Sequence, residues 1–299
     1  MRLTSPRRLA RIWPALISMA LVLPVLPLGA LDWPVKDRIL TGTFGEDRKD
    51  HFHLGIDLGG GEQEVRPVLG GELVFRYDEG ESYSSLPRGL GSFVVLHHSQ
   101  DILSFYCHLQ KGSLGPIQTT YTPSDRIGII GDTGHSDGKH LHFALYDEEA
   151  GSWINPLSIL PPLPDTQQPI IKRVMLSVGE QVQPLESGAT VKAGHGEILV
   201  EAYDLREDVR FHWPLAPYSV RFSLDGKEVA RILFDSILAS NGKMVVGGTG
   251  LTRENVYRGE GLLRCGAVEL RAGESRLHIA VRDFAVNETV RDISFTVSE

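Results

Sequence analysis

Only two cysteines, Cys107 and Cys265, occur in 299 residues. The chain therefore has no disulfide framework of the kind that staples small secreted domains. The two fall in what read as separate halves, and they are read as buried thiols rather than a bridge. Helical periodicity is nearly absent: no long stretch repeats apolar residues at i, i+3, i+4 and i+7, which excludes bundles and coiled coils. No internal repeat or low-complexity tract is found, so solenoids and flexible tails drop out as well. Positive charge is in deficit, with 30 lysines and arginines against 38 acidic residues. An acidic chain argues against nucleic acid as the main partner.

One long apolar run is present, at about residues 12–28. Arg2, Arg7, Arg8 and Arg11 precede it and Gly29-Ala30 follow, the pattern of a secretory signal peptide over residues 1–30. The run is short of the ~20 residues a spanning helix needs, and Pro14, Pro24 and Pro27 interrupt it, which argues against a retained anchor. Arg7-Arg8 alone is too slight for twin-arginine export, and no cysteine near Ala30 offers a lipid attachment point. Cleavage after Ala30 would remove four arginines and no acids, leaving 26 basic against 38 acidic residues and a formal charge of −12. The expected destination is the periplasm or cell envelope.

What remains is rich in glycine and proline, with short Val-, Ile-, Phe- and Tyr-rich runs between turn signals. This predicts an all-β chain. Strands are expected at 72–77, 92–97, 102–108, 127–130 and 140–146, with long loops at 78–91 and 111–126. Pro161-Pro162-Leu163-Pro164 marks an extended linker. The predicted division is a first domain over 31–160, a linker over 161–168 and a second domain over 169–299. Strands at 170–177, 197–203, 219–224, 228–234, 276–283 and 292–297 suggest an immunoglobulin-like β-sandwich, with Asp225-Gly226 as a two-residue hairpin turn. Residues 235–262 carry no pattern clear enough to place.

Chemistry-bearing residues concentrate in the first half. His140-Leu141-His142-Phe143 reads as strand, so its two histidines share one face of a sheet. Imidazole is the commonest metal ligand, and a same-face pair can bind an ion with one ring and move protons with the other. Taken alone, such a pair is more often half-exposed surface histidine. An upstream acid in His53-Leu54-Gly55-Ile56-Asp57 and a third histidine in Tyr106-Cys107-His108-Leu109 change that balance. Catalytic zinc takes three protein ligands and keeps a fourth position open. His53, Asp57 and His142 would supply two nitrogens and a carboxylate, with His108 and His140 left as bases. Extended, residues 53 and 57 would lie ~13 Å apart, so a bend at Gly55 is expected. His51 shares the parity of His53 and is an alternative ligand. Cys107 is expected to face away from the site, and His98 to support it from behind.

In order along the chain, these motifs resemble the LytM-type, lysostaphin-like M23 family of zinc metallopeptidases. Thr43-Phe44-Gly45 with His53-x-Gly55-Ile56-Asp57 is similar to the family's first motif. Val65-x-Pro67 with Gly70-Gly71-Glu72-Leu73-Val74, then Gly91-Ser92-Phe93-Val94-Val95-Leu96-x-His98, continue the likeness. Tyr106-Cys107-His108-Leu109 resembles the family's Tyr-x-His-Leu motif, and residues 128–134 with His140-Leu141-His142-Phe143 its closing signature. The likeness runs over about residues 33–160, ending near Asn155-Pro156. It implies one zinc ion on His53, Asp57 and His142, and catalytic roles for His108 and His140. It implies peptidoglycan stem peptides or cross-bridges as substrate. The chain departs from the family at Ser136-Asp137-Gly138-Lys139 and at Ala144, which bears on substrate preference more than on chemistry.

The remaining histidines, His97, His135, His195, His212 and His278, read as ordinary surface or core residues. Phe211, Trp213 and Tyr218 read as packing rather than as a glycan-stacking patch. Two rivals to a peptidase stand beside it. One is a catalytically silent wall protein that activates another hydrolase, its groove blocked by loop 78–91 or 111–126; an envelope protein partner is expected, if anywhere, at the second domain. The other is a structural metal site closed by a fourth ligand such as His51.

Overall fold

A computed structural model describes residues 31–81, 89–179, 181–207, 213–259 and 261–299. The expected signal peptide, Phe211 and His212 lie outside them. The described chain is nearly all β.

The largest sheet is antiparallel. Its order is Lys243–Val246, Ser236–Ser240, Ser152–Ile154, Leu141–Asp147, Ile102–Leu109, Ser92–His98, Gly71–Tyr77 and Thr120–Tyr121. Ile56–Leu58 pairs with Leu141–Phe143, the part of that edge that Ser152–Ile154 leaves uncovered, and pairs in turn with Leu40–Gly42. Alternation explains the burial: Ile56 and Leu58, and Leu141 and Phe143, are all fully buried on one face. Each such side chain contributes about 1.5–3 kcal/mol on removal from water. The residues between them are left on the opposite face.

Two five-stranded sheets make up most of the second half. One runs Gln181–Pro184, Ile170–Val178, Gly194–Tyr203, Leu262–Leu270 and Tyr257–Arg258. The other runs Thr190–Lys192, Glu288–Ser298, Gly273–Arg282, Ser219–Leu224 and Lys227–Leu233, with its first pair parallel. They enclose a core that includes Leu176, Ile198, Phe222, Ile279 and Phe295, which makes the expected β-sandwich. Asp225-Gly226 turns Ser219–Leu224 into Lys227–Leu233, with both turn residues at positive φ, 51° and 78°.

Residues 235–262 hold what the periodicity left unplaced. Ser236–Ser240 and Lys243–Val246 form a hairpin that adds not to the sandwich but to the first sheet, through Ser152–Ile154. The halves also share hydrophobic packing. Phe44 and Phe52 are each 1% exposed and belong to the sandwich core, with Phe52 edge-on to Phe234, ring centroids 6.3 Å apart. The Tyr257 hydroxyl donates to the Gly45 carbonyl at 2.9 Å, and Arg253 pairs with Asp47 at 2.6 Å. Loop residues 111–126 include Thr120–Tyr121, which docks on the sheet edge four strands from Leu141–Asp147. Its place there is at the far side of the sheet from His142.

Candidate metal centre and flanking histidines

Sheet register brings the first residues of the site together. Asp57 is the antiparallel partner of His142, and Cys107 is its partner on the other side. With Leu141, Phe143, Ile56 and Leu58 turned into the core, His142 and Asp57 turn to the opposite face together. His53 arrives from outside any strand. The chain doubles back before it, Gly45 N–H donating to the His53 carbonyl and His53 N–H to the Glu46 carbonyl, while Phe52 anchors the turn in the sandwich core.

The bend from His53 to Asp57 does not rely on a left-handed glycine. Gly55 has no positive φ; a Cβ there would lie 2.5 Å from the Phe143 carbonyl oxygen and 2.9 Å from the His142 ring. Glycine is required for that close approach. Gly42 plays the same part on the other side, where a Cβ would lie 2.6 Å from Asp57 Oδ2 and 2.7 Å from Arg48 Nη2.

Three donor atoms converge. His53 Nε2 is 2.9 Å from His142 Nδ1 and 3.0 Å from Asp57 Oδ1, and His142 Nδ1 is 3.1 Å from Asp57 Oδ1. His53 Nδ1 lies 2.8 Å from the Thr43 carbonyl. That carbonyl can only accept, so the proton of a neutral ring sits on Nδ1 and Nε2 points a lone pair into the cluster. Lone pairs facing one another about 3 Å apart are unfavourable without a positive charge between them. The separations are near the roughly 3.3–3.5 Å edge of a tetrahedron with Zn–N and Zn–O bonds of 2.0–2.1 Å. The donor set, two imidazoles and one carboxylate, fits a zinc ion.

The electrostatics agree with one another. Burial opposes ionisation of Asp57, but His53 and His142 outweigh it and hold the carboxyl well below its usual range. Burial also disfavours a charged His53, yet the Asp57 carboxylate leaves its pKa raised. For His142 burial wins and the pKa falls.

His108 and His140 flank this cluster. Their rings lie 4.9 Å apart, and His108 is 5.9 Å from the His142 ring. His108 has φ of +61°, a conformation that costs of order 1 kcal/mol or more for a non-glycine residue. This breaks the strand alternation, so His108 reaches the face that Cys107 already occupies through its register with His142. Cys107 therefore does not face away, as simple alternation predicts. It is buried, and burial with the Asp57 charge pushes its thiol pKa far up, leaving an inert thiol. Both cysteines are free and buried. His108 Nδ1 lies 2.8 Å from the Thr133 carbonyl, and His140 Nδ1 2.8 Å from that of Gly138. Each ring thus keeps Nδ1–H on a carbonyl and offers Nε2. Burial, then the neighbouring His140 and His142, pushes His108 down to about 4.

Two expected helpers stand elsewhere. His51 is exposed and paired with Asp50 at 2.6 Å, so it does not join the cluster. His98 is buried, but its nitrogens bond the Gly70 carbonyl and Ser104 Oγ. Sequence reasoning overlooked Arg48, whose Nη2 lies 2.6 Å from Asp57 Oδ2 and 3.1 Å from Glu46 Oε2. Glu46 in turn accepts from the Thr43 N–H and hydroxyl. A search for donor residues passes over an arginine, and only its place between Phe44-Gly45 and His53 hinted at it.

The site and the sheet around it define a known class. Residues 51–156 match the model of Peptidase family M23, and this part of the chain is a domain of that family. Over 118 residues it is 30% identical to the DD-carboxypeptidase/endopeptidase Mpg of Neisseria meningitidis serogroup B, covering 39% of this chain and 25% of that protein. Over 136 residues it is 28% identical to the murein hydrolase activator NlpD of Escherichia coli, covering 45% and 32%. The chain thus spans a quarter to a third of the length of these curated relatives. Among solved structures, a zinc-containing peptidase from Vibrio cholerae aligns at 21% identity and a TM-score of 0.36, covering 45% of this chain and 41% of that one. No helix among the described residues is long and apolar enough to cross a membrane.

Proposed function

We propose that the chain is an exported zinc endopeptidase that hydrolyses peptide cross-links of bacterial peptidoglycan. Residues 31–160 would form the peptidase domain, 161–168 a linker, and 169–299 a sandwich that supports it. One observation carries this reading. His53 Nε2, Asp57 Oδ1 and His142 Nδ1 meet within 3.1 Å, beside two further imidazoles, one of which brings His140 Nε2 to 3.6 Å from Asp57 Oδ1.

Zinc held by these three residues would supply Lewis acidity, polarising a scissile carbonyl and acidifying water. The chain's own residues account for the rest. His108 and His140, held by Thr133 and Gly138 through Nδ1, present Nε2 as a base toward the attacking water. Once protonated, the same nitrogen donates to the developing oxyanion or the leaving amine. Arg48 fixes the second oxygen of Asp57, so that Oδ1 stays aimed at the cluster.

Mass spectrometry of muropeptides tests this. Zinc-loaded residues 31–299 are incubated with purified sacculi, with His140→Ala and a chelated sample alongside. New free amines at cross-link positions, with glycan strands intact and absent from both controls, are the expected result. The similarity to a protein named as an activator of murein hydrolases favours a second reading, a regulator of another wall enzyme. It predicts stoichiometric zinc or none, no muropeptide release by the chain alone, and release when a wall hydrolase is added.

A further inference from the structure

A cavity lies away from the histidines, lined by residues of the 161–165 connection, of the first half and of the sandwich. Its volume is about 100 Å3, and Asp165, Asp204 and Asp283 line one end of it. One carboxylate oxygen from each lies within 4.8 Å of the other two. Asp204 follows the strand Gly194–Tyr203 and Asp283 follows Gly273–Arg282, while Asp165 belongs to the connection. Asp204 is 6% exposed and Asp283 3%, and the Asp165 side chain 4%.

The network around them is built but incomplete. Asp283 accepts from the Asn287 N–H at 2.8 Å and its side-chain amide at 2.7 Å. Asp165 accepts from the Gln167 N–H at 3.0 Å and pairs with Arg206 at 3.3 Å. Asp204 Oδ1, by contrast, is buried with no hydrogen-bond partner among the described residues. Orphaning a buried carboxylate oxygen is costly. Among the described residues, three carboxylates against the arginine paired with Asp165 leave a formal charge of −2 in a confined space.

We propose that Asp165, Asp204 and Asp283 form a calcium-binding site that pins the interdomain connection to the sandwich. All donors are hard oxygens from carboxylates, which suits Ca2+ or Mg2+ and not zinc or copper. Calcium is favoured because it accepts several protein oxygens in irregular geometry, whereas Mg2+ demands a near-ideal octahedron and keeps its waters. A divalent charge balances the −2, gives Asp204 Oδ1 its missing partner, and leaves cavity space for coordinating water. The side-chain and backbone bonds to Asp283 and Asp165 hold those carboxylates in place beforehand, which lowers the ordering cost of binding. The same cavity reaches Thr43 and Phe44, and the Thr43 carbonyl is the one that holds His53. This inference does not depend on the peptidase reading.

The test uses zinc-saturated residues 31–299, titrated with CaCl2 by calorimetry and melted with and without it. Wild type should bind one equivalent and gain about 5 °C or more in Tm at saturation. His97→Ala, which disables the exposed His97, Asp101 and Glu148 group, should behave as wild type. Asp204→Asn should bind at least tenfold more weakly and lose the calcium-dependent gain; Asp165→Asn repeats the test should Asp204→Asn fold poorly. Absence of binding by wild type at about 5 mM calcium, beyond even weak extracellular sites, overturns the proposal. So does a calcium response that survives in both variants. A higher metal-free Tm for Asp204→Asn with no calcium response in wild type assigns the charge balance to a shared proton, and overturns it too.

Discussion

Asp57 and Asp204 are both buried aspartates, 6% exposed in each case, and their carboxyls are pushed in opposite directions. Asp57 is held well below the usual range, Asp204 raised to about 7. Burial acts alike on both; the neighbours differ. Asp57 faces His53 and His142, which can share a positive charge with it, and Arg48 neutralises its far oxygen. Asp204 faces two more carboxylates, and the nearby arginine is committed to Asp165. One cluster is a nitrogen-rich pocket with a single resident anion, the other an all-oxygen pocket with excess negative charge. Donor chemistry, more than burial, separates what each can hold.

The largest expected effect breaks the first cluster. His142→Ala removes one of three donors while Asp57 and His53 remain. Zinc content measured by elemental mass spectrometry should fall from one equivalent to near zero, and muropeptide release should drop by about 10³-fold or more. His108→Ala should separate binding from chemistry, retaining zinc while losing release by about 10²–10⁴-fold. Retention of full activity by either variant would remove the proposed roles.

A second perturbation asks whether the first cluster stands alone. Phe52 precedes His53 and lies in the sandwich core with Phe234 and Tyr257. Phe52→Ala should cost about 3–5 kcal/mol in chemical denaturation and lower zinc affinity, because the turn that presents His53 loses its anchor. A loss of stability with zinc affinity untouched would show that the 45–53 turn is held from the peptidase side.

These two clusters were unequally legible. His53, Asp57 and His108 lie in short motifs that the resemblance to M23 peptidases singled out, while His140 and His142 lie two apart, which places them on a common face. The strands that hold them were readable for the same reason. His108 and Cys107 mark the limit of that rule: a single positive φ breaks the alternation, and no residue type announced it, since histidine is not the usual occupant of that region. The acidic cluster had no motif at all. Its members come from a linker and two strand ends 39 and 79 residues apart in sequence, brought together only by the sandwich. The hairpin at 236–246 was opaque for a related reason, its partner Ser152–Ile154 lying 82 to 86 residues upstream in the other half.

A pH titration of stability sharpens the contrast further. In the unfolded chain Asp204 has a pKa near 3.8, in the metal-free fold about 7. Below about pH 4 both states are protonated and the fold keeps its full stability; as pH rises through 7 the folded state must give up a proton it binds tightly. Metal-free stability should therefore fall by about 2–4 kcal/mol between pH 4 and 8 from this group. Asp204→Asn should flatten that slope in urea denaturation, and calcium at pH 8 should restore what wild type has lost. A slope unchanged by the substitution would mean the carboxyl ionises without penalty.

The smallest effect concerns the arginine that each cluster possesses. Arg48 Nη2 lies 2.6 Å from Asp57 Oδ2, but its side chain is 37% exposed, so its direct contribution to stability is small. Its value lies in orientation, since groups behind metal ligands typically alter affinity by 10–100-fold. Arg48→Met keeps the aliphatic stem and removes the charge. Zinc affinity measured by competition with a chromogenic chelator should weaken about 10–100-fold, with the melting temperature of the metal-free chain nearly unchanged. Arg48→Lys should recover only part of this, because the shorter side chain places a strongly hydrated, freely rotating ammonium where Nη2 of the rigid guanidinium meets both Asp57 and Glu46. An equal loss in both variants would point to the two-point contact as the operative feature. Wild-type affinity in Arg48→Met would show instead that register between Asp57 and His142 is sufficient to aim the carboxylate.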